Sequence, residues 1–213
     1  MSPDGEKAVR VIAICGSLRA DSFTRSALLI ALDGAREVGA ETALLDLTTY
    51  DLVFATGTHN EDTYPADVHR LRKDVRKADG IIFGTPEYHG GFSGVLKNAL
   101  DLMGFPEFEG KMLGLIGISA GPTGAIHALN SLRTVGRILH AWVIPQQASI
   151  PHVATVFDDQ RRLINPDVKN RVKEVGRQTA RFAYLHASDQ AKEFLRMWEA
   201  APLNPGGLEN GAI

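Results

Sequence analysis

Short apolar runs alternate with amphipathic segments along most of the chain. Five of these runs are continuously apolar or nearly so, which is typical of strands that are buried on both faces of a sheet. They are VRVIAIC (9–15), TALLDL (42–47), GIIFGT (80–85), KMLGLIGIS (111–119) and AWVIPQQA (141–148). The pattern therefore predicts five strands, and Pro86 is expected to end the third of them.

Between the runs, apolar residues recur near the helical period of 3.6. The helices predicted in this way span residues 22–39, 67–78, 93–103, 124–139 and 167–187. In the third helix the apolar stripe is expected to be core, and it consists of Val95, Leu96, Ala99, Leu102 and Met103. Residues 48–65 follow no consistent period and predict a long surface loop.

The alternation of strands and helices favours an α/β fold, in which helices cover both faces of a parallel sheet. A chain of 213 residues is long enough for one such domain and short for two. We expect this domain over residues 9–187, preceded by a flexible N-terminus (1–8). A C-terminal helical extension and disordered tail are expected over 188–213.

Composition and charge narrow the function classes. A formal net charge of −2 argues against capture of nucleic acid or an anionic membrane surface. The single cysteine excludes an internal disulfide, and the seven histidines show no metal-ligand spacing, so no metal is expected. With neither a signal-like N-terminus nor a spanning apolar run, we expect a soluble cytoplasmic protein.

The stretch GSLRADSFT (16–24) joins the first strand to the first helix. Helix N-termini bind anions, and the hydroxyls of Ser17, Ser22 and Thr24 with the Arg19 guanidinium add donors suited to phosphate. The alternative is an ordinary capped turn with a solvated Arg19. Neither a Walker loop nor the G-x-G-x-x-G fingerprint fits the spacing. Cys15 is expected to be a buried strand residue, since no arginine stands where a cysteine phosphatase needs it.

Two further loops follow the third and fourth strands. In TPEYHGGFSG (85–94), Tyr88 offers a flat aromatic face, and three glycines (Gly90, Gly91 and Gly94) allow close approach of a ligand. Glu87 has no partner at a diagnostic spacing, so no acid–base role is expected of it. In SAGPTGA (119–125), Gly121 and Gly124 bracket a proline and should leave backbone N–H groups free. The alternative is a flexible turn for the first of these two loops and a packing turn for the other. Taken together with the loop at 16–24, they predict a planar phosphorylated ligand such as FMN.

Two motifs, GSLRADSFT (16–24) and TPEYHGGFSGVLKNALD (85–101), resemble the NAD(P)H-dependent FMN reductase family, with SAGPTG (119–124) as weaker support. The resemblance covers about residues 9–185. It implies a flavodoxin-like three-layer fold with a five-stranded parallel sheet in the order 2-1-3-4-5, and FMN at the switch point between strands one and three. It also implies a homodimer or homotetramer that associates through the helix beginning near residue 93.

The resemblance also implies the residues that bind the cofactor. Those of the phosphate loop are Ser17, Arg19, Ser22, Phe23 and Thr24. Those that border the isoalloxazine are Pro86, Glu87, Tyr88, His89 and Gly90, while Ser119, Gly121 and Gly124 lie near its pyrimidine end. The chain departs from the family at two positions, because asparagine is common where Thr24 and His89 stand.

The function implied by the resemblance is an FMN-dependent oxidoreductase. FMN would take a hydride from NADPH or NADH at its N5 atom and pass electrons to free flavin, a quinone, an azo dye or a metal ion. No side chain is assigned as catalytic, because the chemistry takes place on the cofactor. One alternative is a flavodoxin-like electron carrier without nicotinamide activity, which the near-neutral charge disfavours. The other is a non-catalytic binding protein with the flavodoxin fold.

Overall fold

Five parallel strands form the centre of the protein. A computed structural model describes residues 8–57 and 61–188, together with residues 193, 196 and 197. Its strands are β1 (Arg10–Cys15), β2 (Glu41–Asp46), β3 (Gly80–Tyr88), β4 (Gly91–Phe92), β5 (Met112–Ile118) and β6 (Trp142–Ile150). The parallel strands run in the order β2-β1-β3-β5-β6, and β4 pairs antiparallel with the end of β3. This confirms the predicted 2-1-3-4-5 order of the five parallel strands.

Helices cover both faces of this sheet. They are α1 (Phe23–Glu37), α2 (Ala66–Arg76), α3 (Gly94–Asp101), α4 (Phe105–Phe108), α5 (Ile126–Ile138), α6 (Val153–Val156) and α7 (Pro166–Ala187). One core cluster lies between the sheet and α1 with α7, and a second lies under α2, α3, α4 and α5. Two short 3₁₀ turns at 47–49 and 61–63 interrupt the predicted surface loop. The expected C-terminal extension and tail, apart from residues 188, 193, 196 and 197, lie outside the described residues, as do residues 1–7.

Burial on both faces explains why the strands are continuously apolar. Every residue from Val11 to Cys15 in β1 is fully buried. The stripe of α3 is also core, as predicted, since Leu96 and Ala99 have no exposed surface and Leu102 retains 2%. The helix thus turns its apolar side toward the sheet.

The third strand does not end at Pro86, and that prediction is wrong. Pro86 lies opposite Ile118 at the end of the parallel ladder with β5, and β3 continues to Tyr88. A proline fits at this point because its fixed φ is compatible with an extended chain and the regular ladder ends there. The start of the fourth predicted helix is also displaced, from residue 124 to Ile126, because Gly124 has a left-handed φ of +67°.

Helices α1 and α7 cross in close contact through glycines. A Cβ placed on Gly176 of α7 would lie 1.7 Å from the carbonyl oxygen of Ala31, and one on Gly34 of α1 would lie 2.2 Å from that of Lys173. Backbone atoms cannot give way as a flexible side chain can. The two helices can therefore approach this closely only because Gly34 and Gly176 have no side chain.

Replacing Gly176 with alanine should force these helices apart. We expect Gly176→Ala to lower the free energy of unfolding by roughly 1–3 kcal/mol, because overpacked helices must shift. The measurement is urea denaturation followed by circular dichroism. Gly94→Ala is the control, since nothing lies within 4 Å of a Cβ at that helical position. Equal stability of the two variants would contradict the close crossing.

Candidate functional site

Ser93 ties the carboxyl ends of β1 and β3 together. The N–H of Gly16 donates to the carbonyl of Gly84 (2.8 Å), and the Ser93 hydroxyl donates to the carbonyl of Gly16 (2.6 Å). The N–H of Ser93 donates to Thr85 Oγ1 (2.9 Å), and its hydroxyl oxygen accepts from the N–H of Leu96 as the N-cap of α3. The first and second loops therefore lie side by side where the strand order reverses.

The first loop presents a run of unpaired backbone donors. From Ser17 to Thr24, no N–H group has a hydrogen-bond acceptor within the described residues. Ser22 is the N-cap of α1, and its hydroxyl oxygen accepts from the N–H of Arg25 (3.2 Å). Ser17 and Thr24 are only 6% and 2% exposed, and within the described chain their hydroxyls have no partner. Such a loop before a helix N-terminus suits a phosphate.

Two arginines at this loop differ in their exposure and in their partners. Arg19 is exposed, and its side chain meets no acceptor in the part of the chain that the structure describes. Arg25 lies behind the loop: its Nε is 2.5 Å from Asp46 Oδ2, and its Nη1 donates to the carbonyls of Arg19 and Ala20. Arg25 was missed by sequence reasoning, because its partner Asp46 is 21 residues away at the end of β2.

The ion pair behind the loop stays charged. Burial raises the pKa of the Asp46 carboxyl, but hydrogen bonds from Arg25 and Thr48 outweigh it, so that its pKa lies below the usual value. The charge of Arg25 is therefore matched locally. Arg19, in contrast, has no carboxylate partner among the described residues and is available to a ligand at this loop.

The ring of Phe23 packs against the segment that follows β6. It lies 4.9 Å from the ring of Phe157, and the guanidinium of Arg161 lies 4.3 Å above it. Its contribution to the loop is therefore its unpaired N–H. Phe157 and Arg161 belong to the segment after β6, for which the sequence offered no signal.

Cys15 is buried at the end of β1, as predicted. It has no exposed surface, and its sulfur lies 3.8 Å from the carbonyl oxygen of Ser17. Burial raises the pKa of the thiol, so that it stays protonated near neutral pH. This environment is that of a structural cysteine, not of a nucleophile.

The second loop is a tight hairpin. Tyr88 pairs with Gly91, and the two residues between them, His89 and Gly90, have φ angles of +53° and +75°. Positive φ at both central residues is the requirement of a type I′ turn, for which Asn-Gly is the preferred pair. The departure from asparagine at position 89 therefore falls at a site of backbone strain. Tyr88 remains 47% exposed at the rim.

Glu87 connects the second loop to the third. Its Oε2 accepts a hydrogen bond from the N–H of Ala128 (3.0 Å) in the first turn of α5. A carboxylate at this position pairs an open N–H and complements the positive end of the helix. The side chain thus has a structural partner at the start of α5.

The third loop is closed by hydrogen bonds between its own residues. Ser119 Oγ accepts from the N–H of Gly121 (3.1 Å), and the N–H of Gly124 is directed at the carbonyl of Gly121 (3.4 Å). The N–H groups of the two glycines are therefore used within the turn. Among the described residues, the N–H groups of Ala120 and Thr123 have no acceptor and remain open.

Together these features define an α/β protein of the flavodoxin-like class, with its candidate site at the carboxyl ends of β1, β3 and β5. Residues 9–155 match the family described as NADPH-dependent FMN reductase. The chain therefore belongs to this family of FMN-dependent enzymes, which draw electrons from NAD(P)H.

Curated relatives agree with this assignment. An NAD(P)H-dependent FMN reductase of Pseudomonas aeruginosa is 33% identical over 174 residues, covering 78% of this chain and 90% of the relative. The NADPH-dependent FMN reductase ArsH of Shigella flexneri is 31% identical over 190 residues, covering 87% and 72%. An NADPH azoreductase of a Bacillus species is 35% identical over 133 residues, covering 61% and 74%.

Solved structures show the same fold. The apo form of the NADH:FMN oxidoreductase EmoB superimposes with a TM-score of 0.69 at 19% identity, covering 86% of this chain and 94% of that one. FerB of Paracoccus denitrificans, an NAD(P)H:(acceptor) oxidoreductase, gives 0.64 at 22% identity, covering 84% and 99%. Over the described residues, no helix has the length and apolar character to cross a membrane.

The left-handed backbone at His89 yields a stability prediction. We expect His89→Asn to raise the free energy of unfolding by about 0.5 kcal/mol, because asparagine tolerates positive φ better than histidine. His69→Asn, an equivalent change in the middle of the exposed side of α2, should have little effect, since the two residues have similar helix propensity. Urea denaturation without added flavin measures both. A destabilised His89→Asn variant would contradict the turn assignment.

Proposed function

We propose that the three loops hold FMN and that the enzyme passes electrons from NAD(P)H through it to a second, small-molecule acceptor. The observation that carries the proposal is the run of eight residues, Ser17 to Thr24, whose N–H groups have no acceptor among the described residues. A terminal phosphate needs several convergent donors, and this loop offers them at a helix N-terminus.

The cofactor's phosphate would be held by the first loop. Ser17 and Thr24 have partner-free hydroxyls within the described chain, and neither hydroxyl oxygen is sealed from solvent. Thr24 can donate to a phosphate oxygen in place of the family's asparagine. Arg19 adds a guanidinium that has no counter-ion within the described ranges, while Arg25 donates to the carbonyls of Arg19 and Ala20 and so keeps these oxygens from the anion.

The flat part of the cofactor would lie against the second and third loops. The rigid hairpin sets the position of Tyr88, and Glu87 fixes this hairpin to the start of α5. The open N–H groups of Ala120 and Thr123 are donors for a polar ring edge. Ser119, Gly121 and Gly124 shape the turn through internal hydrogen bonds, so their proposed contribution is positional.

FMN, when bound, supplies the reversible acceptance of a hydride at N5. The chain's residues supply binding, orientation and fixed dipoles around the ring. Because the Glu87 carboxylate accepts a backbone hydrogen bond, the mechanism assigns it no proton transfer.

The second acceptor is proposed to be flat and apolar, such as a quinone or an azo dye. Leu18 in the first loop is 55% exposed and Tyr88 in the second is 47% exposed, so the rim offers apolar surface. Free flavin and metal ions are the other acceptors to be compared. Turnover of each with NADPH, at equal concentration, ranks them.

The homodimer or homotetramer through α3 stays a prediction. Four of the five residues of the apolar stripe are buried in their own protomer and Val95 is half-buried, so the stripe itself offers little surface to an interface. Asn98 of α3, however, donates to the carbonyl of Val53 and accepts from the N–H of Ala55. Phe54, held between these residues, is 83% exposed and provides apolar surface beside the helix.

Anaerobic reduction tests the proposed function directly. Protein loaded with FMN should show flavin absorbance that bleaches on addition of NADPH or NADH and returns with a quinone or azo dye. The donor that bleaches it faster identifies the preferred nicotinamide. Absorbance that persists with both donors would indicate an electron carrier, and failure to bind FMN would indicate a non-catalytic protein.

Loss of the Arg19 guanidinium should weaken binding more than chemistry. We expect Arg19→Ala to raise the Kd for FMN about tenfold, because one charge-assisted phosphate contact is lost. At saturating FMN, the rate of flavin reduction by NADPH should change less than about threefold. Arg171→Ala, an exposed arginine on α7, is the control. Unchanged FMN affinity in Arg19→Ala would remove Arg19 from the site.

A further inference from the structure

Two neighbouring arginines in the turn after α6 have different partners. Asp158 organises this turn: its Oδ1 accepts from the N–H groups of Gln160 (3.0 Å) and Arg162 (2.9 Å). Its Oδ2 accepts from Arg162 Nε at 2.7 Å. Arg162 is thus neutralised by Asp158 and points to solvent, with 71% of its side chain exposed.

Arg161 has no such counter-ion. It takes a left-handed φ of +61°, its N–H donates to the carbonyl of Asp158, and its guanidinium lies 4.3 Å above the ring of Phe23. Within the described ranges, no carboxylate lies within ion-pair distance of it. The turn therefore places the guanidinium of Arg161 against the ring of Phe23 and supplies no carboxylate to neutralise its charge.

Phe23 is the first residue of α1, where the unpaired donors of the first loop end. Phe157, which packs on the same ring, is held by a β-bridge to Leu163 on the far side of the turn. Both ends of the turn thus support the contact, and the guanidinium is fixed beside the helix N-terminus. A guanidinium held over an aromatic ring by a cation–π interaction has N–H groups that the ring does not use and that can donate to a ligand.

We propose that Arg161 is a phosphate-binding residue, which contacts a phosphate monoester at the start of α1. Two sources share this chemistry, the 5′-phosphate of FMN and the 2′-phosphate of NADPH. The inference rests on the proposed function for the identity of these ligands. It does not rest on the helix N-terminus alone, because Ser17 and Thr24 are buried there with hydroxyls that have no partner among the described residues.

The variants are chosen to separate charge from backbone strain. Arg161→Asn removes the charge and suits a left-handed backbone, while Arg161→Lys keeps the charge but loses the fork of donors. Arg162→Asn makes the same chemical change one residue away, at an arginine already paired with Asp158.

The first measurement compares FMN with riboflavin, which lacks the phosphate. If the ligand is the FMN phosphate, Arg161→Asn should weaken FMN binding about tenfold or more and leave riboflavin binding within about twofold. Arg161→Lys should recover part of the loss, and Arg162→Asn should match the wild type. Equal weakening of FMN and riboflavin would mean a structural role and would overturn the proposal.

The second measurement compares nicotinamide donors at saturating FMN. If the ligand is the 2′-phosphate, Arg161→Asn should lower kcat/KM for NADPH about tenfold and leave that for NADH unchanged. If Arg161→Asn weakens neither FMN binding relative to riboflavin nor kcat/KM for NADPH relative to NADH, the proposal is overturned. The pattern across the two measurements identifies which phosphate Arg161 binds.

A third measurement separates this inference from the proposed function. Inorganic phosphate, at constant ionic strength, should raise the Tm of the flavin-free wild type and of Arg162→Asn, and this rise should be absent in Arg161→Asn. A phosphate effect that is the same in all three proteins would overturn the proposal even if FMN binds. Failure of the wild type to bind FMN, with the phosphate effect intact, would refute only the proposed function.

Discussion

The hydrogen bond from the Ser93 hydroxyl to the carbonyl of Gly16 is the contact on which the arrangement of the site depends. It joins two loops that are 77 residues apart in the chain, while the same hydroxyl caps α3. The contact requires glycine, since a Cβ at position 16 would lie 2.8 Å from Leu96 Cβ and 2.9 Å from the Gly84 carbonyl oxygen. One buried serine and one glycine thus fix where the ends of β1 and β3 meet.

Features with a local cause could be predicted from the sequence. The buried strands follow from their continuous apolar runs. The burial of Cys15 follows from its place in β1. Features with distant partners could not be predicted. Pro86 lies inside β3 because β5 pairs with the strand up to Pro86 and β4 pairs with Glu87 and Tyr88. Residues 80–88 alone give no indication of this pairing.

The same distinction applies to the candidate site. Its loops were located by their small and hydroxyl residues, but the side chains that hold them in place were not. Arg25 needs Asp46 from the next strand, and Glu87 needs the open N–H of Ala128 from a helix 41 residues later. Each contact joins a charged group to a partner that only the folded sheet brings near. A single sequence carries no periodic or local signal for such pairs.

These charged contacts also determine where an anion can bind. The N-terminus of α5 already has the Glu87 carboxylate, so a second anion there would meet like charge. At α1 the cap is a neutral serine, and the loop before it offers open N–H groups up to Thr24. Arg25 is matched by Asp46, whereas within the described residues Arg19 has no counter-ion. The Glu87 carboxylate thus occupies the N-terminus of α5, whereas Asp46 neutralises Arg25 and leaves the charge of Arg19 beside α1. A phosphorylated ligand is therefore expected at the N-terminus of α1.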